Sequence, residues 1–362
     1  MHFLPSNSSE CRQVIETAAG RPRSATAGQN GAAAWSVVSE EGVETMSASP
    51  PVTQKMQQPV WIAGPPRSGT TLLGKLLASG RGIEYAFEPP FLETLAACVQ
   101  QGWISDDAAA FLLGDFLDRD LLVEQVLGRR QNFREQDDSH FHFNLTEDEL
   151  RRRMSALSGT ADARAFLQDS KLRLVVKSPQ SLSLASAFLR ISEKGVFLVP
   201  YRRPEPTIAS MLQRQWFESR PLEGAAFRTY RAQDGQIFPP PILSPGCCHD
   251  WREATAEEKA ATLWLSEWSQ LLDAAAQTTG LRFVIVDYER LCEAPDTAAT
   301  QLLQALGIQR TPRTQRWASS VDSRKPRELV NLSVRPEILG TLLQLAEHIE
   351  GLLGDSLLAT ID

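Results

Sequence analysis

The sequence predicts an α/β fold of the P-loop type: three layers, with a central parallel sheet flanked by helices. Three observations predict it. The stretch Val60-Trp-Ile-Ala-Gly-Pro-Pro-Arg-Ser-Gly-Thr-Thr-Leu-Leu-Gly-Lys75 reads as a short buried strand, a glycine-bounded loop and the first turns of an amphipathic helix. Further apolar or alternating runs at 83–88, 171–177, 195–202 and 281–289 are separated by helical patterns, as parallel crossover units require. Finally, Arg67, Glu88, Lys177 and Arg202 fall at or just past the carboxyl ends of these runs, the edge at which such sheets bind ligands.

Residues 1–58 are rich in Ala, Gly, Ser, Thr, Gln and Pro without a sustained apolar period. They cannot bury enough surface to offset their conformational entropy, so a disordered N-terminal extension is expected, with Met46 as an alternative start. The folded domain is expected over 59–362. Its first strand leads into Gly64-x-x-x-x-Gly69 followed by Thr70-Thr71, the spacing of a P-loop with Thr70 where the Walker lysine would stand. Leu72, Leu73, Leu76 and Leu77 then mark one helical face. Such a loop offers backbone N–H groups and a helix N-terminus to phosphate or sulfate oxygens, and Arg67 is the nearby cation.

The run Ile83–Glu88 alternates and is stopped by Pro89-Pro90. Residues 91–170 look helical, with a capping box at Thr146-x-x-Glu149 and Arg151-Arg152-Arg153 as a solvated helix face. Lys171–Lys177 is a strand closed by Ser178-Pro179. A helix over about 181–192 leads to the strand 195–202, and a helix with Ile208, Met211 and Leu212 follows. Prolines break the chain through 216–250. The helix over about 255–278 pairs Trp264 with Trp268 at i, i+4, a core pattern. Leu281–Glu289 is the last clear strand, and helices fill most of the remainder.

Composition excludes several classes. The net charge is −7 and the pI near 5.4, which argues against a nucleic-acid-binding face. The five cysteines are scattered without a C-x-x-C pair, so neither a disulfide framework nor a zinc site is suggested, and Cys247-Cys248-His249 reads as a plain loop. No apolar run approaches the ~20 residues that span a bilayer, and no signal-peptide core follows Met1. A reducing, cytoplasmic setting is expected.

Three separated pieces resemble the sulfotransferases that use 3′-phosphoadenosine 5′-phosphosulfate (PAPS). Gly64-Pro-Pro-Arg-Ser-Gly-Thr-Thr-Leu-Leu73 looks like the family's 5′-phosphosulfate loop. Tyr201-Arg-Arg-Pro-Glu-Pro-Thr-Ile-Ala-Ser210 is similar to the 3′-phosphate motif, in which an arginine ends a strand and a serine follows eight positions later. Val286-Asp-Tyr-Glu-Arg-Leu291, with Leu302-Leu303 and Leu306-Gly307-Ile308, is similar to a late segment. The likeness covers essentially 59–310 and is closest to the branch of bacterial and tyrosylprotein sulfotransferases. There a catalytic glutamate follows the loop arginine by twenty-one positions, as Glu88 follows Arg67. A lysine also precedes a proline by two residues, as in Lys177-Ser178-Pro179. Two features depart: Arg203 replaces the usual aspartate, and the glycine-rich C-terminal loop of the eukaryotic enzymes is missing, with Ser323-Arg-Lys-Pro-Arg327 a weak substitute.

The resemblance implies that Pro66, Arg67, Ser68, Gly69, Thr70, Thr71 and Leu72 hold the 5′-phosphosulfate, while Arg202 and Ser210 select the 3′-phosphate by a guanidinium fork and a hydroxyl. Arg67 and Lys177 would stabilise charge on the sulfate and leaving oxygen, with Ser178 a further contact. Glu88 would be the general base, and His140 or His142 is a weaker choice, better suited to a structural or acceptor-pocket role. In-line transfer of a sulfuryl group needs no divalent metal, and PAPS is the co-substrate. The acceptor is a small molecule, lipid, glycan or peptide carrying a hydroxyl or amine. Trp103, Phe141, Phe143, Trp216 and Phe217 are candidates for partly apolar walls. Two rivals stand beside this reading: a P-loop kinase or NTPase, for which Phe283–Asp287 resembles a Walker B strand, and a PAPS-binding protein without catalysis.

Overall fold

A computed structural model describes residues 57–192, 194–215, 217, 253–322 and 331–361. The expected extension up to residue 56, Met46, Trp216, Cys247–His249 and Ser323–Arg327 lie outside the described residues. The elements, in chain order, are β1 (Gln57–Ile62), α1 (Thr70–Ala78), β2 (Ile83–Phe87), α2 (Pro90–Gln100), α3 (Asp106–Asp115) and α4 (Val123–Val126), with a π-helical segment Phe116–Leu122 between the last two. There follow α5 (Glu147–Ala156), α6 (Thr160–Asp169), β3 (Arg173–Lys177), α7 (Ala185–Ile191), β4 (Val196–Tyr201) and α8 (Pro204–Leu212). The chain closes with α9 (Ala256–Gln277), β5 (Arg282–Asp287), α10 (Tyr288–Glu293), α11 (Pro295–Ala305), α12 (Pro312–Ser320), α13 (Pro336–Leu353) and β6 (Leu358–Ile361).

The strands form one six-stranded sheet in the order β2-β3-β1-β4-β5-β6. The first five are parallel, so the expected α/β architecture is present, but β6 runs antiparallel to β5. The strand pattern in the sequence ends at β5. β6 is only four residues long, too short for a period-2 signal, and exists through its pairing with Phe283–Val286.

Both faces of the sheet are buried, and successive strand residues alternate between them. Val60 and Ile62 of β1, Val196 and Leu198 of β4, and Val284 and Val286 of β5 join Leu73, Leu76 and Leu77 of α1 and Leu302 and Leu303 of α11 in one apolar layer. Trp61, Phe197, Val199, Phe283 and Ile285 face the other layer, built from α2, α3, α7, α9 and α13. Trp264 and Trp268 are buried there, with ring centroids 6.4 and 5.5 Å from Tyr201, which is the core role their spacing predicted.

Some local expectations hold and others shift. The capping box at Thr146–Glu149 forms. Residues 91–170 are interrupted by an isolated bridge between Asn132 and His140. Arg153 is not part of a solvated face: it pairs with Glu84, a fully buried carboxylate of β2. β5 stops at Asp287, whose carboxylate accepts from the Arg290 backbone N–H at 3.0 Å and so caps α10, turning Tyr288 and Glu289 into helix.

The topology creates a crevice. α1 leaves the carboxyl end of β1 for one face, whereas α7 and α8 leave β3 and β4 for the other. Loops that part in this way open a gap above β1, β3 and β4, where ligands bind in open parallel sheets.

Candidate active site

The loop between β1 and α1 is fixed by backbone geometry. Gly64 and Gly69 have φ of 111° and 107°, in the left-handed region that favours glycine. A Cβ on Gly69 would lie 2.3 Å from the Tyr288 ring and one on Gly64 2.7 Å from Val199 Cγ1, so neither position tolerates a side chain. Ser68 is turned inward, its hydroxyl donating to the Pro65 carbonyl at 2.6 Å. Gly69 caps α1 without a side chain, leaving the first-turn N–H groups at Thr70, Thr71 and Leu72 for an anion. Leu72 also accepts a bond from Trp317 Nε1 at its carbonyl, 3.2 Å, which ties the helix start to α12.

Beside this loop lies a cleft of about 300 Å³ lined by Pro66, Arg67, Thr70, Thr71, Glu88 and Lys177, together with Phe87, Pro89, Glu93, Asp138, Ser178, Pro179 and Gln180. Lys177, at the end of β3, is 2% exposed, and its ammonium meets Glu88 Oε1. Parallel pairing sets this contact, because Phe87 lies opposite Lys177 and the Glu88 N–H donates to the Lys177 carbonyl at 2.7 Å. The ammonium also lies 4.4 Å from the Phe87 ring centroid. Burial lowers the Lys177 pKa, and the Glu88 carboxylate opposes that shift. Glu88 itself has φ of +42°, a strained conformation held by the following prolines and the strand pairing.

Arg202 and Ser210 reach this cleft through Arg67. Arg67 Nε donates to Ser210 Oγ at 3.2 Å, and Arg202 Nη1 donates to the Arg67 carbonyl at 2.9 Å. The Arg202 guanidinium stands 5.0 Å from the Tyr288 ring centroid. Residues separated by 143 positions are thus joined at the ends of β1 and β4. Glu289, at the start of α10, accepts from the Arg203 N–H at 3.4 Å, and burial pushes its pKa up to about 7.

The structure adds residues that sequence spacing did not single out. Asp138 lines the cleft and bonds Lys75 Nζ at 2.6 Å, a pairing across 63 positions with no sequence signal. Buried Gln180, three residues past Lys177, has φ of +60°, and its amide nitrogen has no partner among the described residues. Its place just beyond a strand end was the available signal. The aromatic candidates among the described residues do not line the cleft. Trp103 is exposed, Phe141 packs with Leu145 and Leu150, Phe143 contacts Lys75, and Phe217 lies in the core; Phe87 is the aromatic wall instead. His140 is buried, its Nδ1 accepting from the His142 N–H at 3.3 Å, and neither imidazole lines the cleft.

No family model and no curated protein matches the chain. Among solved structures it is similar to the sulfotransferase domain of the Synechococcus PCC 7002 olefin synthase, at 16% identity over 82% of this chain and 95% of that one, with a TM-score of 0.44. The sulfotransferase domain from the curacin biosynthetic pathway gives 14% identity, 80% and 98% coverage and a TM-score of 0.43. A sulfotransferase of Mycobacterium tuberculosis H37Rv gives 15%, 82%, 77% and 0.37. The chemistry of the site rests on its own residues.

Those residues gather positive charge and N–H donors suited to an anion. The loop amides, Arg67 and Lys177 border the cleft, and Arg202 and Ser210 are bonded to Arg67 beside it. Asp287, the acid a Walker B strand would offer to a metal, is engaged by the N–H and Nε of Arg290. No helix among the described residues is long and apolar enough to cross a membrane.

Proposed function

We propose that this protein is a sulfotransferase that moves the sulfuryl group of PAPS to a hydroxyl or amine of an acceptor, in a cytoplasmic setting and without a metal. The observation that supports this most is the Lys177–Glu88 pair in a cleft shared with a phosphate loop lacking the Walker lysine. A base and a buried cation beside an anion cradle are what in-line transfer requires.

The first-turn amides of α1 and the hydroxyls of Thr70 and Thr71 hold the 5′-phosphate, and Arg202 with Ser210 holds the 3′-phosphate. Lys177 and Arg67 place positive charge on the sulfuryl oxygens and on the bridging oxygen. The acceptor oxygen or nitrogen forms a bond to sulfur as the sulfur–bridging oxygen bond breaks. Glu88 takes the acceptor's proton, and Lys177 stabilises the phosphate that leaves as 3′-phosphoadenosine 5′-phosphate (PAP). The incoming sulfuryl anion competes with Glu88 for Lys177 and so frees the carboxylate to act as base. Small-molecule, lipid, glycan and peptide acceptors all fit this scheme.

The test is an acceptor screen with sulfur-labelled PAPS, followed by Glu88→Gln on the best acceptor. The variant is expected to lose turnover by roughly 10²–10⁴-fold with PAP affinity within about threefold of wild type. Turnover equal to wild type would remove Glu88 from the base role.

A further inference from the structure

Arg67, Glu88, Gln180 and Gln215 are the four non-glycine residues with positive φ among the described residues. Three of them, Arg67 at 69°, Glu88 at 42° and Gln180 at 60°, line the same cleft beside the phosphate loop. Side chains rarely adopt this backbone region, and where they do the surrounding structure must hold them there. The proposed mechanism brings Arg67 and Glu88 to the reacting groups and leaves Gln180 without a role.

The backbone around Gln180 is pinned. The Ser178 N–H donates to the Ile62 carbonyl at 2.9 Å and the Gln180 N–H to the Gly64 carbonyl at 3.3 Å, which fixes the chain over the ends of β1 and β3. The Ser181 hydroxyl accepts from Trp61 Nε1 at 2.7 Å and donates to the Ser178 carbonyl. The Gln180 side chain is the part left unmet. The residue is 8% exposed, and its Nε2 is buried without a partner among the described residues. A buried donor of this kind costs free energy until something bonds it. The terminal torsion of a glutamine is soft and two-fold, so the NH2 can turn to an arriving acceptor atom at little cost.

We propose that Gln180 donates a hydrogen bond from Nε2 to a terminal sulfuryl oxygen of the donor, a contact that PAP cannot make. The inference rests on the sulfotransferase reading. The sulfuryl group is chosen over the 5′-phosphate by the two directions the chain takes. α1 leaves β1 for one face of the sheet, and its first-turn amides meet the phosphate there. The chain after β3 leaves through Gln180 for the other face, where Leu182 and Leu184 are buried. The group that reaches from the α1 N-terminus toward Lys177 and Gln180 is the sulfuryl group. It has three terminal oxygens, and Arg67 and Lys177 supply two cations. A neutral amide is a third donor that adds no charge to repel them.

The experiment is calorimetric titration of the full chain with PAPS and with PAP, without an acceptor, for wild type, Gln180→Ala and Gln180→Glu. Gln180→Ala is expected to weaken PAPS binding about tenfold while PAP affinity stays within about twofold of wild type. Gln180→Glu keeps the length of the side chain but turns a carboxylate on the sulfuryl oxygens, so its loss for PAPS should exceed that of Gln180→Ala. PAP affinity also reports that each variant is folded. PAPS affinity unchanged in Gln180→Ala, or equal losses for PAPS and PAP, would overturn the assignment. A wild-type protein that binds neither nucleotide would instead overturn the donor reading beneath it.

Discussion

Glu267 places a carboxyl group in the core of α9 with neither oxygen hydrogen-bonded among the described residues. Burial pushes its pKa up to about 8, so the folded protein carries it protonated at neutral pH. In the unfolded chain the same group ionises near ~4.3. Between those two values the native state binds more protons than the unfolded state, so this group makes stability fall as pH rises from about 4 to about 8. Glu267→Gln is therefore expected to be more stable than wild type at pH 8, by on the order of 2–4 kcal/mol, with its advantage fading toward pH 4. Urea unfolding across that range checks it, and a gap independent of pH would mean that the carboxyl ionises alike in both states. Glu88 is the contrasting residue, a half-exposed carboxylate beside a buried cation at the cleft rather than a neutral acid sealed in the core.

Elements meet in this fold at points that a substitution can probe. α1 rests on β2 at Gly74, where an added Cβ would lie 2.2 Å from Tyr85 Oη and 3.0 Å from Cζ. In an isolated helix Gly→Ala gains about 1 kcal/mol, but overpacking against a rigid buried ring costs about 1–3 kcal/mol, so the clash decides the sign. Gly74→Ala should lower the urea midpoint, and Gly74→Ala with Tyr85→Phe should recover it, since the Tyr85 hydroxyl is buried without a partner among the described residues. A double variant no better than the single one would place the strain elsewhere. β2 and α5 meet at Glu84 and Arg153. Arg153→Ala strands a buried carboxylate and is expected to cost about 3–5 kcal/mol, measured by the same unfolding curves, whereas a change below ~1 kcal/mol would return Arg153 to the solvated face its sequence context suggested.

At the scale of the molecule, the five parallel strands were legible because each is a short apolar run bounded by breakers. Their order was not, because it depends on which strands neighbour one another, and that information is spread across the whole chain. β6 was invisible for the same reason, being defined by its partner rather than by its own pattern. In the site, Arg67, Glu88, Lys177 and Arg202 were legible as charges at strand ends, and β2–β3 register then brings Glu88 to Lys177. Asp138 and the Arg67–Ser210 bond were not, since each joins residues that only folding makes adjacent. The alternation over Ile83–Glu88 marked a strand but not the burial of Glu84, which β2 accommodates because Arg153 arrives from α5 to pair with it.

The central claim is that this loop grips PAPS rather than a nucleoside triphosphate, and thermal unfolding with ligands tests it most directly. A ligand that binds only the native state stabilises it by about 2.7 kcal/mol at a hundred times its dissociation constant, or roughly 4 °C for a domain of this size. The account predicts that PAP in a metal-free buffer raises the unfolding temperature by about that much, while ATP with Mg²⁺ at the same concentration leaves it unchanged. A rise with ATP and Mg²⁺ but none with PAP would contradict it.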